Sequence, residues 1–377
     1  MKKNILVVDD SALIRRVICD IINTDSNFQA KDTCRDGLEA YERLKTTTYD
    51  GVVLDVNMPR MDGLQLLEKL QEDNIKANVI MVSTLTTKDA EVTILALERG
   101  AIDFVTKPTN ISEAKGEDFK KKLLDTLNAV LNSRLLARTS RASSRTTSTA
   151  STEATSSARE TLNGTSSPAK TNVTANFRRL KATGKNKLIA LASSTGGPKA
   201  LQSVIPYLPE NLDAPMVLVQ HMPAGFTKSM ADRLNEVSKI AVKEAEDGDK
   251  LEKGHIYVAP GGKHMEVVKC PDGSHKIKLN NMPAIGGLRP CANITYDSLS
   301  KCGYDEVVCV VLTGMGADGT NGILSLGHHK PIHVISQNAE TCIVYGMPKA
   351  IEESGVVDEV VPLEKVAESI TKRVGVK

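Results

Sequence analysis

Short apolar runs alternate with amphipathic stretches along the first third of the chain. NILVVDD, YDGVVLDV, NVIMVST and DFVTKP read as strands, separated by helical periodicity near 11–23, 63–73 and 87–99. Strands alternating with helices predict an open parallel sheet over residues 1–136. After residue 186 the alternation resumes, with KLIALASS, APMVLVQH, EVVCVVLT and PIHVISQ as strands. HIYVAPGGKHMEVVKC and SHKIKLN read instead as hairpin strands joined at Pro271-Asp272-Gly273. The predicted fold class is α/β, with two doubly wound parallel-sheet domains, 1–136 and 187–377, the second carrying a β-hairpin.

The stretch between them, 137–186, follows neither period. Residues 139–186 hold eight Lys or Arg, two Glu and 20 Ser or Thr, with too little apolar surface to offset the entropy of ordering. They predict a flexible linker spanning roughly 40 Å as a coil. Its charge of +6 (eight minus two) leaves −4 on the rest of a chain whose net charge is +2. Without interleaved aromatics such a segment reads as a solvated tether rather than a nucleic-acid contact. No run approaches the roughly 18 apolar residues of a membrane helix, and the apolar run of MKKNILVVDDS is too short for a signal peptide. Seven cysteines without a CxxC pair fit reduced thiols. The expectation is a cytoplasmic protein with no nucleic-acid partner and no direct membrane insertion.

Functional groups of open α/β sheets gather beyond the carboxyl ends of the strands. In the first domain those ends carry Asp9 and Asp10, Asp55, Ser83 with Thr84, and Lys107. Singly, each acid is an ordinary helix cap. Converging, three carboxylates repel one another unless a hard divalent cation lies between them, and Mg²⁺ prefers such oxygen ligands. A carboxylate beside Mg²⁺ and a lysine is poised to take a phosphoryl group. VVDDS, LDVNMPRMDG, MVST and FVTKP resemble the receiver domain of bacterial response regulators, a flavodoxin-like fold. The resemblance implies phosphorylation of Asp55 by a histidine kinase. It also implies Mg²⁺ held by Asp10, Asp55 and the Asn57 carbonyl with Asp9 supporting, and readout of the phosphoryl group by Ser83 and Lys107. Ser83 stands where that family often has Thr, and the hydroxyl is retained.

In the second domain, LASSTGGPKAL sets two serines where a strand turns into a helix, a place that suits both chemistry and ordinary capping. His221 follows PMVLVQ and Asp318 follows EVVCVVLT. Ser193 or Ser194 as nucleophile, His221 as base and Asp318 as acid could converge at one sheet edge, since such triads are defined by geometry and role. The other six histidines lie in or beside hairpin, strand or turn segments. GMGADG supplies a rival: Gly314, Gly316 and Gly319 spell a dinucleotide fingerprint, with Glu340 as candidate ribose ligand. Against it, Asp318 sets a carboxylate inside the loop that would cradle a pyrophosphate.

SSTGG, VQHMPAGFT, VKEAEDGD, YVAPGGKHM, LTGMGADG and NAETCIVYGMP resemble the Rossmann-like catalytic domain of the chemotaxis protein-glutamate methylesterases. The order of receiver, linker and esterase resembles their whole architecture. The resemblance selects Ser194, which precedes Thr-Gly-Gly, as nucleophile with His221 and Asp318, and adds the Met315 backbone N–H to an oxyanion hole. It implies a phosphorylation-activated hydrolase of glutamate γ-methyl esters on chemoreceptors that also deamidates receptor glutamines. Its partners would be a chemotaxis histidine kinase and methylated chemoreceptors, and the esterase would need no cofactor. Three segments depart from the family. Ala192-Ser193 replaces Gly-Ala, LRPCANI keeps only Arg289 and Pro290 of a His-Arg-Pro-Ser-Val-Asp pattern, and HHKP occupies a turn where the family has small residues. The rival from another class is a phosphorylation-controlled binding module whose second domain is inactive or binds a nucleotide.

Overall fold

The computed structural model describes residues 1–108, 113, 116–143, 180–181 and 184–377. Its first sheet comprises β1 (Lys3–Val8), β2 (Phe28–Cys34), β3 (Gly51–Asp55), β4 (Val79–Ser83) and β5 (Asp103–Thr106), all parallel in the order β2-β1-β3-β4-β5. Helices α1 (Ala12–Thr24), α2 (Gly37–Thr46), α3 (Gly63–Glu72), α4 (Thr87–Glu98) and α5 (Glu117–Ser143) accompany it. With both faces covered, β3 and β4 are buried along their whole length, which is why they read as unbroken apolar runs. Ser11, Asp36, Asp62 and Thr86 start four of the helices, each accepting the N–H three residues on. The sequence pattern did not single out β2 and α2. As an edge strand, β2 exposes Gln29, Lys31 and Thr33, so no apolar run marks it. The helix α5 continues past residue 136 to Ser143, through Leu, Ala and Arg residues of good helix propensity. The rest of the expected linker, 144–179 and 182–183, lies outside the described residues.

The second sheet comprises β6 (Lys187–Ser193), β7 (Met216–Gln220), β8 (Ala241–Glu244), β9 (His255–Val258), β12 (Glu306–Val311), β13 (Ile332–Gln337) and β14 (Glu359–Val361). Its order is β14-β13-β12-β6-β7-β9-β8, parallel throughout. The strands β10 (His264–Lys269) and β11 (His275–Asn280) form a separate antiparallel hairpin. HIYV is therefore not a hairpin strand, as the sequence pattern indicated, but β9 of the main sheet, paired with both β7 and β8. Pro260-Gly261-Gly262 breaks the run, with Gly262 at φ +79°, so one apolar stretch serves two sheets. The helices here are α6 (Gly197–Gln202), α7 (Phe226–Val237), α8 (Ala292–Leu299), α9 (Thr320–His329), α10 (Met347–Glu353) and α11 (Val366–Val374). The chain enters at the central β6, moves through β7 out to the edge strand β8, steps back in as β9, then returns to the other side as β12. Strand order thus reverses between β6 and β12, the place where an open α/β sheet forms a crevice.

The two domains meet where α4 and β5 face α6 and α7. Arg233 on α7 clasps the Glu98 carboxylate at the end of α4 with Nε to Oε1 at 2.7 Å and NH2 to Oε2 at 3.1 Å, and Gln202 donates to Oε1 at 3.1 Å. Phe104 of β5 stacks on the buried Phe226, with centroids 4.5 Å apart and an interplanar angle of 17°.

Candidate active site

Ser194, His221 and Asp318 follow the ends of β6, β7 and β12, the strands at and beside the reversal. The two serines separate by direction. Ser193 is fully buried and donates from Oγ to Gln220 Oε1 at 2.7 Å, while Gln220 Nε2 donates to the Ser194 carbonyl at 2.9 Å. Ser194 is partly exposed and lines a cleft of about 470 Å³ together with His221, Arg289 and Met315. His221 Nε2 lies 2.8 Å from Asp318 Oδ2, and Nδ1 is buried with no hydrogen-bond partner among the described residues. A carboxylate on one ring nitrogen fixes the proton there and leaves the other lone pair free to accept one. Burial raises the Asp318 carboxyl, but His221, the Ala292 N–H and the Cys291 thiol outweigh it and hold the group at about 2. It stays an anion throughout the neutral range.

Glycine permits the crowding on this edge. A Cβ on Gly314 would stand 2.9 Å from Ser194 Cβ and 2.3 Å from Met347 Sδ. The Gly314 N–H donates to the Val344 carbonyl, and its own carbonyl accepts from Gly346 and Met347. The adjacent Met315 N–H has no acceptor among the described residues, leaving a donor beside Ser194. The Gly319 N–H is taken by Asp318 at 3.0 Å and by Asn293 at 3.1 Å. The fingerprint loop therefore meets protein carboxylate and amide oxygens where a pyrophosphate would need free N–H groups.

In the first domain, Lys107 Nζ bridges Asp9 Oδ2 at 2.9 Å and Asp55 Oδ2 at 2.8 Å. Oxygens of Asp9, Asp10 and Asp55 lie within 4.8 Å of one another. Burial pushes the Asp55 carboxyl up to about 6, opposed by Lys107 and reinforced by Asp9. This all-oxygen, strongly negative donor set fits a hard divalent cation. Asn57 donates through Nδ2 to Asp89 at 2.7 Å. Ser83 is fully buried, and its Oγ accepts from Thr93 at 2.7 Å.

Family models for the response regulator receiver domain and the CheB methylesterase match residues 5–116 and 189–370. A protein-glutamate methylesterase/protein-glutamine glutaminase of Pyrococcus abyssi is 40% identical, covering 99% of this chain and 94% of its own. Its counterpart in Bacillus subtilis is 38% identical over 97% of both chains. The chain belongs to the CheB methylesterase family. Among solved structures, the Thermotoga maritima CheB methylesterase catalytic domain is 42% identical, covers 50% of this chain and 99% of its own, and aligns with a TM-score of 0.47.

In this CheB-family chain the cleft has a second wall. Asp103, Phe104, Val105 and Thr106 of β5, with Lys122, Asp125 and Thr126 of α5, line it opposite Ser194, Thr195 and His221. Burial pushes the Asp103 carboxyl up to about 7, against the Phe104 N–H and the Thr195 hydroxyl. Sequence reasoning placed Ser194, His221 and Asp318 on strand ends that the fold brings together, and likewise Asp9, Asp10, Asp55 and Lys107. It missed Gln220, which sets the two serines apart, and the start of α8, which holds Asp318. The departure at LRPCANI was the signal for the latter. All seven cysteines are free, and no described helix is long and apolar enough to cross a membrane.

Proposed function

We propose that this protein hydrolyses glutamate γ-methyl esters on chemoreceptors, and deamidates receptor glutamines, under control of phosphorylation at Asp55. The observation that carries the reading is the 2.8 Å contact of Asp318 with His221, which lines the same cleft as Ser194. Ser194 Oγ attacks the ester carbonyl carbon, and its proton passes to the free Nδ1 of His221. Asp318 stabilises the imidazolium, and the Met315 N–H faces the developing oxyanion. His221 returns the proton to the departing methoxide, giving methanol and an acyl-enzyme. Water, deprotonated by the same nitrogen, then releases the glutamate carboxylate and restores Ser194. With glutamine the leaving group is ammonia.

In the receiver, Asp10, Asp55 and the Asn57 carbonyl would hold Mg²⁺, with Asp9 supporting. Bound there, the cation supplies charge neutralisation for transfer from a chemotaxis histidine kinase to Asp55. Ser83 and Lys107 then reorient towards the phosphoryl group. Because β5 and α5 wall the cleft, the unphosphorylated receiver occludes the site, and phosphorylation weakens this packing. These partners place the protein in the cytoplasm.

The test is methanol release from methylated chemoreceptors by the full chain, with a phosphodonor and Mg²⁺. Turnover that disappears in Ser194→Ala supports the reading. No turnover by the intact, phosphorylated protein, together with NAD binding, would replace it with the binding-module reading.

A further inference from the structure

His221 is one of five groups that hold the Asp318 carboxylate. Oδ1 accepts from the Cys291 thiol at 3.2 Å, the Asn293 N–H at 3.1 Å and the Gly319 N–H at 3.0 Å. Oδ2 accepts from the Ala292 N–H at 2.6 Å beside His221. Three of these donors come from the start of α8, so one turn of helix fixes the carboxylate that in turn fixes the imidazole. The Asn293 side chain closes the loop. Its Oδ1 accepts from the Gly319 N–H at 3.1 Å and the Gly322 N–H at 2.7 Å, starting α9 and sharing the Gly319 donor with Asp318. Two oxygens on one N–H are close neighbours, so the charge at position 293 is felt at Asp318.

We propose that Cys291 and Asn293 are positioning residues for Asp318, and that the neutral amide at 293 leaves Asp318 the single negative charge behind His221, setting the pH at which the imidazole becomes protonated. The inference rests on the Ser194–His221–Asp318 reading above. The other titratable groups described around the site are either neutral or line the cleft with His221. Burial and Asp318 push the Cys291 thiol up to about 11, and burial keeps the Tyr296 phenol, whose hydroxyl donates to the Ala190 carbonyl, protonated. Arg289 lines the cleft with His221, as do Asp103, Lys122 and Asp125 from the receiver wall.

A carboxylate at 293 keeps the acceptor for Gly319 and Gly322, so Asn293→Asp preserves the start of α9 while adding charge. The experiment is a ¹⁵N-imidazole NMR titration of the full unphosphorylated chain, with the His221 resonance assigned by its loss in His221→Gln. In Asn293→Asp the His221 midpoint is expected to rise by about one pH unit, since a nearby negative charge favours the imidazolium. The acid limb of kcat/KM should move with it. A midpoint equal to wild type in a variant of unchanged Tm would reduce Asn293 to a helix cap and overturn the proposal. For Cys291, Cys291→Ala should lower kcat several-fold with KM held, and Cys291→Ser should restore it; Cys291→Ala at the wild-type rate would remove the thiol from the positioning set. The titration needs no ester. An absence of methanol release by wild type would therefore fall on the proposed function, while an unmoved midpoint falls on this inference.

Discussion

Removing the Glu98–Arg233 clasp should raise the basal activity of the unphosphorylated protein. The pair is bidentate and partly shielded, with side-chain exposures of 21% for Glu98 and 33% for Arg233. Exposed ion pairs contribute up to about 1 kcal/mol, and breaking a buried one costs about 3–5 kcal/mol. A half-shielded bidentate contact falls between, at about 1–2 kcal/mol. If the pair forms only when the receiver lies over the cleft, its loss shifts the closed-to-open ratio by about 5–30-fold. Basal methanol release should climb by a similar factor, up to the ceiling set by the phosphorylated protein. Arg233→Ala and Glu98→Gln approach the contact from opposite sides, and their double variant should add little. Glu236→Gln is the control, because Glu236 pairs with Arg233 within α7 at 3.0 Å and has no described ion pair with the receiver. Basal rates within twofold of wild type in both Arg233→Ala and Glu98→Gln would refute the clasp as part of the closed state.

Ser194→Ala should lose on the order of 10⁴-fold in turnover, whereas Ser193→Ala, which removes only the buried bond to Gln220, should retain most of it; methanol release by each variant separates them. His221→Ala should match Ser194→Ala, and the double variant should add little because the pair acts as a unit. Asp55→Asn should stay at the basal rate when phosphodonor and Mg²⁺ are supplied, and stimulation of that variant would move the control site elsewhere. If the receiver closes over the cleft as proposed, Asp103 should make that closure depend on pH. Its carboxyl is raised to about 7 in the closed form, so its contribution to closure is full below about 4 and is lost as pH rises through about 7. The ratio of basal wild-type activity to that of Asp103→Asn, whose amide does not titrate, should therefore grow from pH 5 to 7 and level off above. A flat ratio would remove Asp103 from the wall.

Strands buried on both faces, such as β3, β4, β6, β7 and β12, were legible as apolar runs because no position on them needs a polar side chain. Polar residues at or just past their ends were legible as chemistry for the same reason, each standing out against an apolar run, with Gln220 at the end of β7 the exception. Some edge strands escaped that logic, although β5 was legible in DFVTKP. β2 exposes alternate positions and no residue of the three-residue β14 is buried, while β9, an inner strand, merges in sequence with the hairpin that follows it. Composition could not choose between Ser193 and Ser194, since both sit where β6 turns towards α6. The choice is made by Gln220, which is 26 residues away in sequence from Ser194 and becomes its neighbour only once β7 pairs with β6. The α8 start that holds Asp318 escaped for the same reason, because its three donors act on a carboxylate from another loop.

The strand β5 joins the proposed phosphorylation site to the walled cleft. Lys107, just past its end, pairs with Asp9 and Asp55, and its N–H donates to the Ser83 carbonyl at 2.6 Å. Phe104, three residues earlier, lies on Phe226, and Asp103 lines the cleft beside Thr195. At about 3.3 Å per residue, Lys107 and Phe104 are separated by about 10 Å of extended chain. A phosphoryl group on Asp55 would change the charge that Lys107 faces from a carboxylate to a near-dianion, at one end of the strand that walls in Ser194. As the edge strand of its sheet, β5 is paired only with β4. A shift of β5 therefore strains one ladder, where a shift of β3 would strain two. Placing the interface on the edge strand nearest the lysine gives the receiver a face that can move while its core stays packed.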